Sequence, residues 1–252
     1  MISRLSHNAQ VRGLQVLSHL IGVPAIVYAV YMGWWGYLAT AWLTYWVIGT
    51  LGINVAFHRL ISHRSYKTSK FWEYLFAYIG ILTTVGSPLA WVALHREHHK
   101  HAETDKDPHS PYIIGWWKAW FGWWNIQRIN PRTIKDIRKE KFYTITHKHY
   151  TAILAGSIAV MALFDPWLIA YGWAIPALLC LHSTSAIIVI AHIHGYKTYN
   201  IKDESRNSWI ASLATLGEGW HNNHHANPGA WKQGEKWWEF DVPAMVIKLI
   251  KD

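Results

Sequence analysis

Long apolar runs constrain this chain more than any other feature. They cover residues 14–32, 36–57, 151–164 and 167–190. A helix needs about 20 apolar residues to cross the ~30 Å hydrocarbon layer of a bilayer. Inside that layer only helices and closed barrels satisfy their own backbone groups. The runs pair through tight links, 33–36 and Asp165-Pro166. The expectation is an all-α membrane protein, one domain over 1–252, with four transmembrane helices in two hairpins. A further stretch, 71–94, is mostly apolar but contains Thr83, Thr84, Gly86, Ser87 and Pro88. By composition it reads as a third span or as a helix lying at the membrane surface.

Charge placement supports the membrane reading. Lys and Arg total 24 against 15 Asp and Glu, a net charge of +9. Such an excess fits nucleic acid, but its distribution fits a bilayer better. Neither hairpin link carries Lys or Arg. The basic residues fall at Arg4 and Arg12, at Arg59, Arg64, Lys67 and Lys70, through Arg128–Lys148, and from Lys197 to Lys236. The positive-inside rule puts all of these on the cytoplasmic side, so no nucleic-acid partner is expected. The 18 Trp and 13 Tyr suit the membrane interfaces. Trp116, Trp117, Trp120, Trp123 and Trp124 mark an interfacial segment. No cleavable signal peptide is expected, because the first run lacks a small-residue cleavage pattern.

Metal chemistry follows from the histidines. There are 17 of them, and the only cysteine is Cys180, so neither a disulfide nor a Cys cluster is available within the chain. Eight fall in three groups: His58 and His63; His95, His98 and His99; His221, His224 and His225. In the last two the spacing is i, i+3, i+4, which places the imidazoles on one helical face. His58 and His63 lie about 140° apart on a helix of 3.6 residues per turn. A regular helix therefore splays them, and the helix is expected to end between them or to send each toward a different metal. His7, His19, His147, His149 and His182 read as ordinary surface or core residues. Eight clustered imidazoles exceed what one four-coordinate zinc needs, so two metals are expected. The groups must meet on one membrane face. That excludes 71–94 as a span and docks it on the cytoplasmic side, within a helical cap of 58–150 and 191–252.

These boxes, with Asp105-Lys-Asp107-Pro-His109 and Gly217-Glu-Gly-Trp-His221, resemble the membrane-bound fatty acyl desaturases of the stearoyl-CoA (delta-9) type. The similarity runs from about residue 40 to about residue 245. It implies two iron ions, O2 as co-substrate, and a cis double bond introduced into a saturated acyl chain carried on CoA or a lipid. It implies a ninth ligand just past the last span, matched by His192, with His194 the weaker choice. The implied ligands are His58, His63, His95, His98, His99, His192, His221, His224 and His225. The family's Asn four residues before the ninth histidine is replaced by Ile188, which cannot hold a water; Ser185 or a shifted helix would have to substitute. Asp107 and Glu218 are the candidates for orienting imidazoles, ahead of Asp105 and Glu97. Trp42 and Trp46 are candidates for limiting the depth of an acyl tunnel, and Arg128, Arg132 and Lys135 for holding carrier phosphates. No Rossmann or cluster-binding pattern is present, so electrons come from a separate ferredoxin or small b-type cytochrome. The rivals are a membrane di-iron hydroxylase or alkane monooxygenase, and a non-catalytic membrane metal-binding protein.

Overall fold

The structure, a computed structural model, describes residues 6–122 and 130–252. Arg4, Trp123, Trp124 and Arg128 lie outside the described residues. Among the described residues the chain is all helical, with pairing limited to the isolated bridges Tyr196 to Asn207 and Asn207 to Trp220.

Among the described residues three helices are long and apolar enough to cross a membrane: α1 (His7–Met32), α2 (Trp35–Ser62) and α9 (Ile169–Ile193). The Ser6 hydroxyl caps α1 by accepting from the Ala9 N–H, and Gly33, at φ 69°, ends it. Positive φ costs glycine little, which suits it to a helix terminus. The second half of α2, Gly49–Ser62, is wound as a π-helix. The apolar run 151–164 forms α8 (Tyr150–Phe164), whose 15 residues span about 22 Å. It follows α7 (Lys141–Lys148) across a non-helical His149.

The stretch 71–94 is not one helix. It divides into α3 (Lys70–Leu82) and α4 (Pro88–His101). Thr84 and Gly86 between them have positive φ, Ser87 caps α4, and Pro88 sits at its first turn. At 13 residues α3 covers about 20 Å, less than the hydrocarbon layer. It packs on the π-wound part of α2, where the backbones nearly touch. A Cβ on Gly52 would stand 2.5 Å from the Gly80 backbone, so only glycine fits.

The remaining helices are short: α5 (Pro111–Ile114), α6 (Trp116–Phe121), α10 (Trp209–Thr215), α11 (His221–Ala226) and α12 (Val242–Ile250). Helix α6 lies along α9, with the Ser185 hydroxyl donating to the Trp120 carbonyl at 2.8 Å. Trp116 and Trp117 on α6 are exposed. Helices α4 and α12 pack on α2, and α10 and α11 pack on α9. This brings the ends of the two long helices and the two short histidine helices to one place.

Candidate metal centre

The nine histidines form two sets. In one, His58, His63, His95, His99 and His224 bring their ring nitrogens within 4.8 Å of one another. In the other, His98, His192, His221 and His225 do the same. His194 is exposed and takes no part.

The helix ends at Ser62, between His58 and His63, as the first of the two expectations had it, and both histidines join one set. The π winding is the reason: the His63 N–H donates to the His58 carbonyl at 3.1 Å, an i to i+5 bond. That bond stacks residues five apart along the axis instead of turning them away from each other. The HxxHH boxes divide in a swapped manner. On α4 the i, i+4 pair His95 and His99 stays together while His98 crosses to the other set. On α11 His221 and His225 stay together while His224 crosses.

Four imidazoles are oriented by carboxylates. The His58 Nδ1–H donates to Glu218, and that of His98 to Asp107 at 3.0 Å. His192 pairs with Glu103 at 3.1 Å and His225 with Asp203 at 3.0 Å. Each bond fixes the proton on Nδ1 and leaves Nε2 as a free donor for a metal. Glu218 and Asp107 were legible in the sequence, each close to a histidine box; Glu103, four residues past His99 yet serving His192, and Asp203, outside every box, were not. Of the weaker candidates, Asp105 is exposed, and Glu97 faces Asn130 and His101. Arg59, 1% exposed, holds Glu218 at 2.6 Å and Asp241 at 2.8 Å. The two asparagines inside the third box turn away from the rings. Asn222 accepts from the N–H groups of Thr198 and Tyr199, and Asn223 donates to Gln233 and Glu239. The Asn207 side-chain oxygen caps both their N–H groups, so it braces the six-residue helix α11.

The donor set fits metal ions. Nε2 atoms approach one another at 3.0 Å (His58 and His224; His224 and His99), 2.7 Å (His63 and His95) and 3.1 Å (His192 and His221). Two nitrogens bound at right angles, each about 2.1 Å from one ion, stand about 3.0 Å apart. Hydrogen bonding alone cannot account for His224 Nε2, which meets two ring nitrogens with one lone pair or one proton. The buried Nε2 of His225 has no hydrogen-bond partner among the described residues, and an ion supplies one. The rings are also in the right protonation state. Burial, then the neighbouring imidazoles, holds His95, His99, His221 and His224 well below the ordinary value; His225 is lowered to about 4 and His63 to about 2. Burial pushes Glu218 up, but Arg59 and His58 outweigh it and hold it at about 2.

Both sets open onto one cavity of about 860 Å³, counting its mouth. His58, His95, His98, His192 and His221 form its head, and α2, α9 and α10 its walls. Trp46 lines it, with Tyr45 and Gly49 on the same helix. Trp42 does not: it is 54% exposed and packs on the outer side of Trp46. Ile188 is in the wall. Ser185 does not substitute for the missing Asn, because its hydroxyl is bonded to Trp120. Arg132 and Lys135 are exposed, away from the cavity wall.

Comparison with known proteins gives a consistent picture. The family model for fatty acid desaturases matches residues 32–239. A sn-1 stearoyl-lipid 9-desaturase of Anabaena variabilis is 35% identical over 221 residues, covering 86% of this chain and 81% of that protein. Its namesake in Synechocystis sp. is 36% identical, covering 86% of this chain and 69% of the relative. An acyl-CoA C20 Delta5-desaturase of Anemone leveillei is 33% identical, covering 84% and 72%.

Proposed function

Because the chain belongs to the fatty acid desaturase family, we propose that its two histidine sets hold two iron ions and that it introduces a cis double bond into a saturated acyl chain, at carbon nine, with O2. The observation that carries this is the pair of histidine sets at the head of one apolar cavity. Imidazole suits iron among the transition metals. Charge supports a pair of divalent ions. With Arg59 they bring five positive charges, matched by Glu103, Asp107, Asp203, Glu218 and Asp241. Buried charge persists only when it is balanced in this way.

When bound, the ions supply the activation of O2 that removing hydrogen from two unactivated methylenes requires. The protein does the rest. Glu218, Asp107, Glu103 and Asp203 fix the imidazoles. Ile53, Leu94, Ile187 and Ile188 present an apolar wall that aligns methylenes and excludes water. The relatives are named for acyl chains on lipid and on CoA, and both carriers suit this reading. Electrons come from a separate ferredoxin or small b-type cytochrome docking on the cap.

Four spans, with α7 and α8 together making the third, and a cytoplasmic cap complete the reading. Its support is the absence of Lys and Arg from both hairpin links and the convergence of all three boxes. Cysteines introduced at positions 67 and 100 are then labelled from the same side; labelling from opposite sides overturns the topology.

Expression in a host lacking its own desaturase tests the activity. Fatty acids two mass units lighter, with the double bond at carbon nine, are expected, and none from His98→Ala. Products sixteen units heavier point to a hydroxylase, and an unchanged profile overturns the reading.

A further inference from the structure

A tenth histidine stands at the cavity head outside the two sets. His109 is 6% exposed, and its ring stacks on that of His98 with centroids 4.4 Å apart and planes 26° apart. Asp107 places both rings. Its carboxylate accepts from His98 Nδ1–H and also from the backbone N–H groups of His109 and Ser110, at 3.1 and 3.2 Å. His98, Asp107 and His109 also bring one ligand atom each within 4.8 Å of one another, so the His109 imidazole stands beside the four-histidine set without being one of its four.

Its ring nitrogens are not spent. Nδ1 is buried with no hydrogen-bond partner among the described residues, while the ring lines the cavity. A sealed N–H without a partner is rarer in proteins than an unpaired acceptor. The proton accordingly sits on Nε2, and with Nδ1 sealed it is the Nε2 edge that meets the cavity. Of the other lining donors, the Trp46 Nε1–H is also unpartnered but stands twelve residues before His58 on α2, and three of the hydroxyls are spent. Ser183 and Thr184 both donate their hydroxyls to the Cys180 carbonyl, and Thr215 to that of Ala211. Ile188 offers nothing. The four-histidine set also has one donor fewer than its neighbour, which leaves room beside it for a small ligand.

We propose that His109 Nε2–H is the hydrogen-bond donor that positions a small oxygen-bearing ligand, water or O2, beside the His98–His192–His221–His225 set. This rests on the two-metal reading. His109 thereby does from the loop after α4 what no side chain does from position 188 on α9. A fixed donor aimed where negative charge collects stabilises that charge without reorganisation.

The test uses the full chain purified with its metals, as wild type, His109→Gln and His109→Phe. Metal per chain is measured first, then affinity for azide, a small anion, from its absorption change. All three proteins are expected to carry the same metal. Gln, which keeps a side-chain N–H, stays within about threefold of wild type, and Phe binds azide about tenfold or more weakly, as loss of a hydrogen bond to a charged acceptor dictates. His109→Leu is read in the same way should Phe fail to accumulate. Equal azide affinity in all variants at full metal content overturns the proposal and leaves the two-metal reading standing. Loss of one metal equivalent on substitution makes His109 a ligand and also overturns it. A wild type without metal overturns the underlying reading itself.

Discussion

Asp203→Asn separates the two histidine sets. Asp203 uses both oxygens: Oδ2 accepts from His225 Nδ1–H at 3.0 Å and Oδ1 from the Ser205 N–H at 2.9 Å. His225 and its other partners hold the carboxyl well below the usual range despite partial burial, so the group is ionised at neutral pH. Asparagine keeps the shape but has one acceptor oxygen. Whichever way the amide turns, one N–H faces another. If it faces His225, a hydrogen bond to a charged acceptor is lost, worth about 1.5–3 kcal/mol. At 1.4 kcal/mol per decade, that is a 10- to 150-fold weaker hold on the metal of the four-histidine set. The five-histidine set makes no contact with Asp203 and keeps its affinity. Titration against metal buffers, with metal content per chain as readout, is expected to show one tight and one weakened equivalent. Glu218→Gln, acting through His58, is expected to weaken the other equivalent. Equal weakening of both metals, or of neither, would refute the division into two sets.

Gly52→Ala drives a Cβ to within 2.5 Å of the Gly80 backbone. Overpacking of this kind costs about 1–3 kcal/mol, so the melting temperature in detergent falls; an unchanged value contradicts the packing of α3 on α2. Trp46→Ala lengthens the cavity and shifts products toward longer acyl chains, while Trp42→Ala leaves the distribution alone; chain-length analysis of both variants checks this, and identical profiles sink it. Acid acts in a defined direction. The imidazoles of His95, His99, His221, His224 and His225 are lowered on folding from 6.5. The unfolded chain therefore takes up protons first. Stability of the chelated protein is full above about pH 6.5 and declines below it, by up to about 1.4 kcal/mol per pH unit for each such histidine. A melting temperature constant from pH 7 to pH 5 runs against that linkage.

The long helices and the histidine boxes were legible because both are written in local spacing. Apolar length marks α1, α2 and α9, and i, i+3, i+4 marks α4 and α11. What spacing could not show was where a helix changes its winding. The 140° separation of His58 and His63 is right for an α-helix and wrong here, because Gly49–Ser62 is wound with i to i+5 bonds. Nor could it show the break in 71–94, which depends on positive φ at Thr84 and Gly86. Glu103 and Asp203 were invisible for a different reason. They are 89 and 22 residues from the histidines they orient; Glu103 follows His99 by four residues but nothing there points to His192, and Asp203 stands outside every box. Trp42 was misplaced by less. It is four residues from Trp46, near enough for the two tilted rings to touch, but only one of the two reaches the cavity.

The swapped division of the boxes has a mechanical consequence. Helix α11 has six residues, too few to be stable alone. Yet it supplies His224 to one set and His221 and His225 to the other, and α4 does the reverse. Each short helix therefore bridges both sets, and neither set can shift without dragging the other. The separation between the sets is written into the rise between i and i+3 on two helices, with Asn207 pinning the backbone of α11 and Asp107 holding the His98 ring on α4. A reaction that must take hydrogen from two adjacent methylenes needs its reactive centres at a fixed spacing over the chain. Crossing one histidine from each box gives that spacing without a rigid scaffold of its own, which is why two short helices at the ends of α2 and α9 suffice.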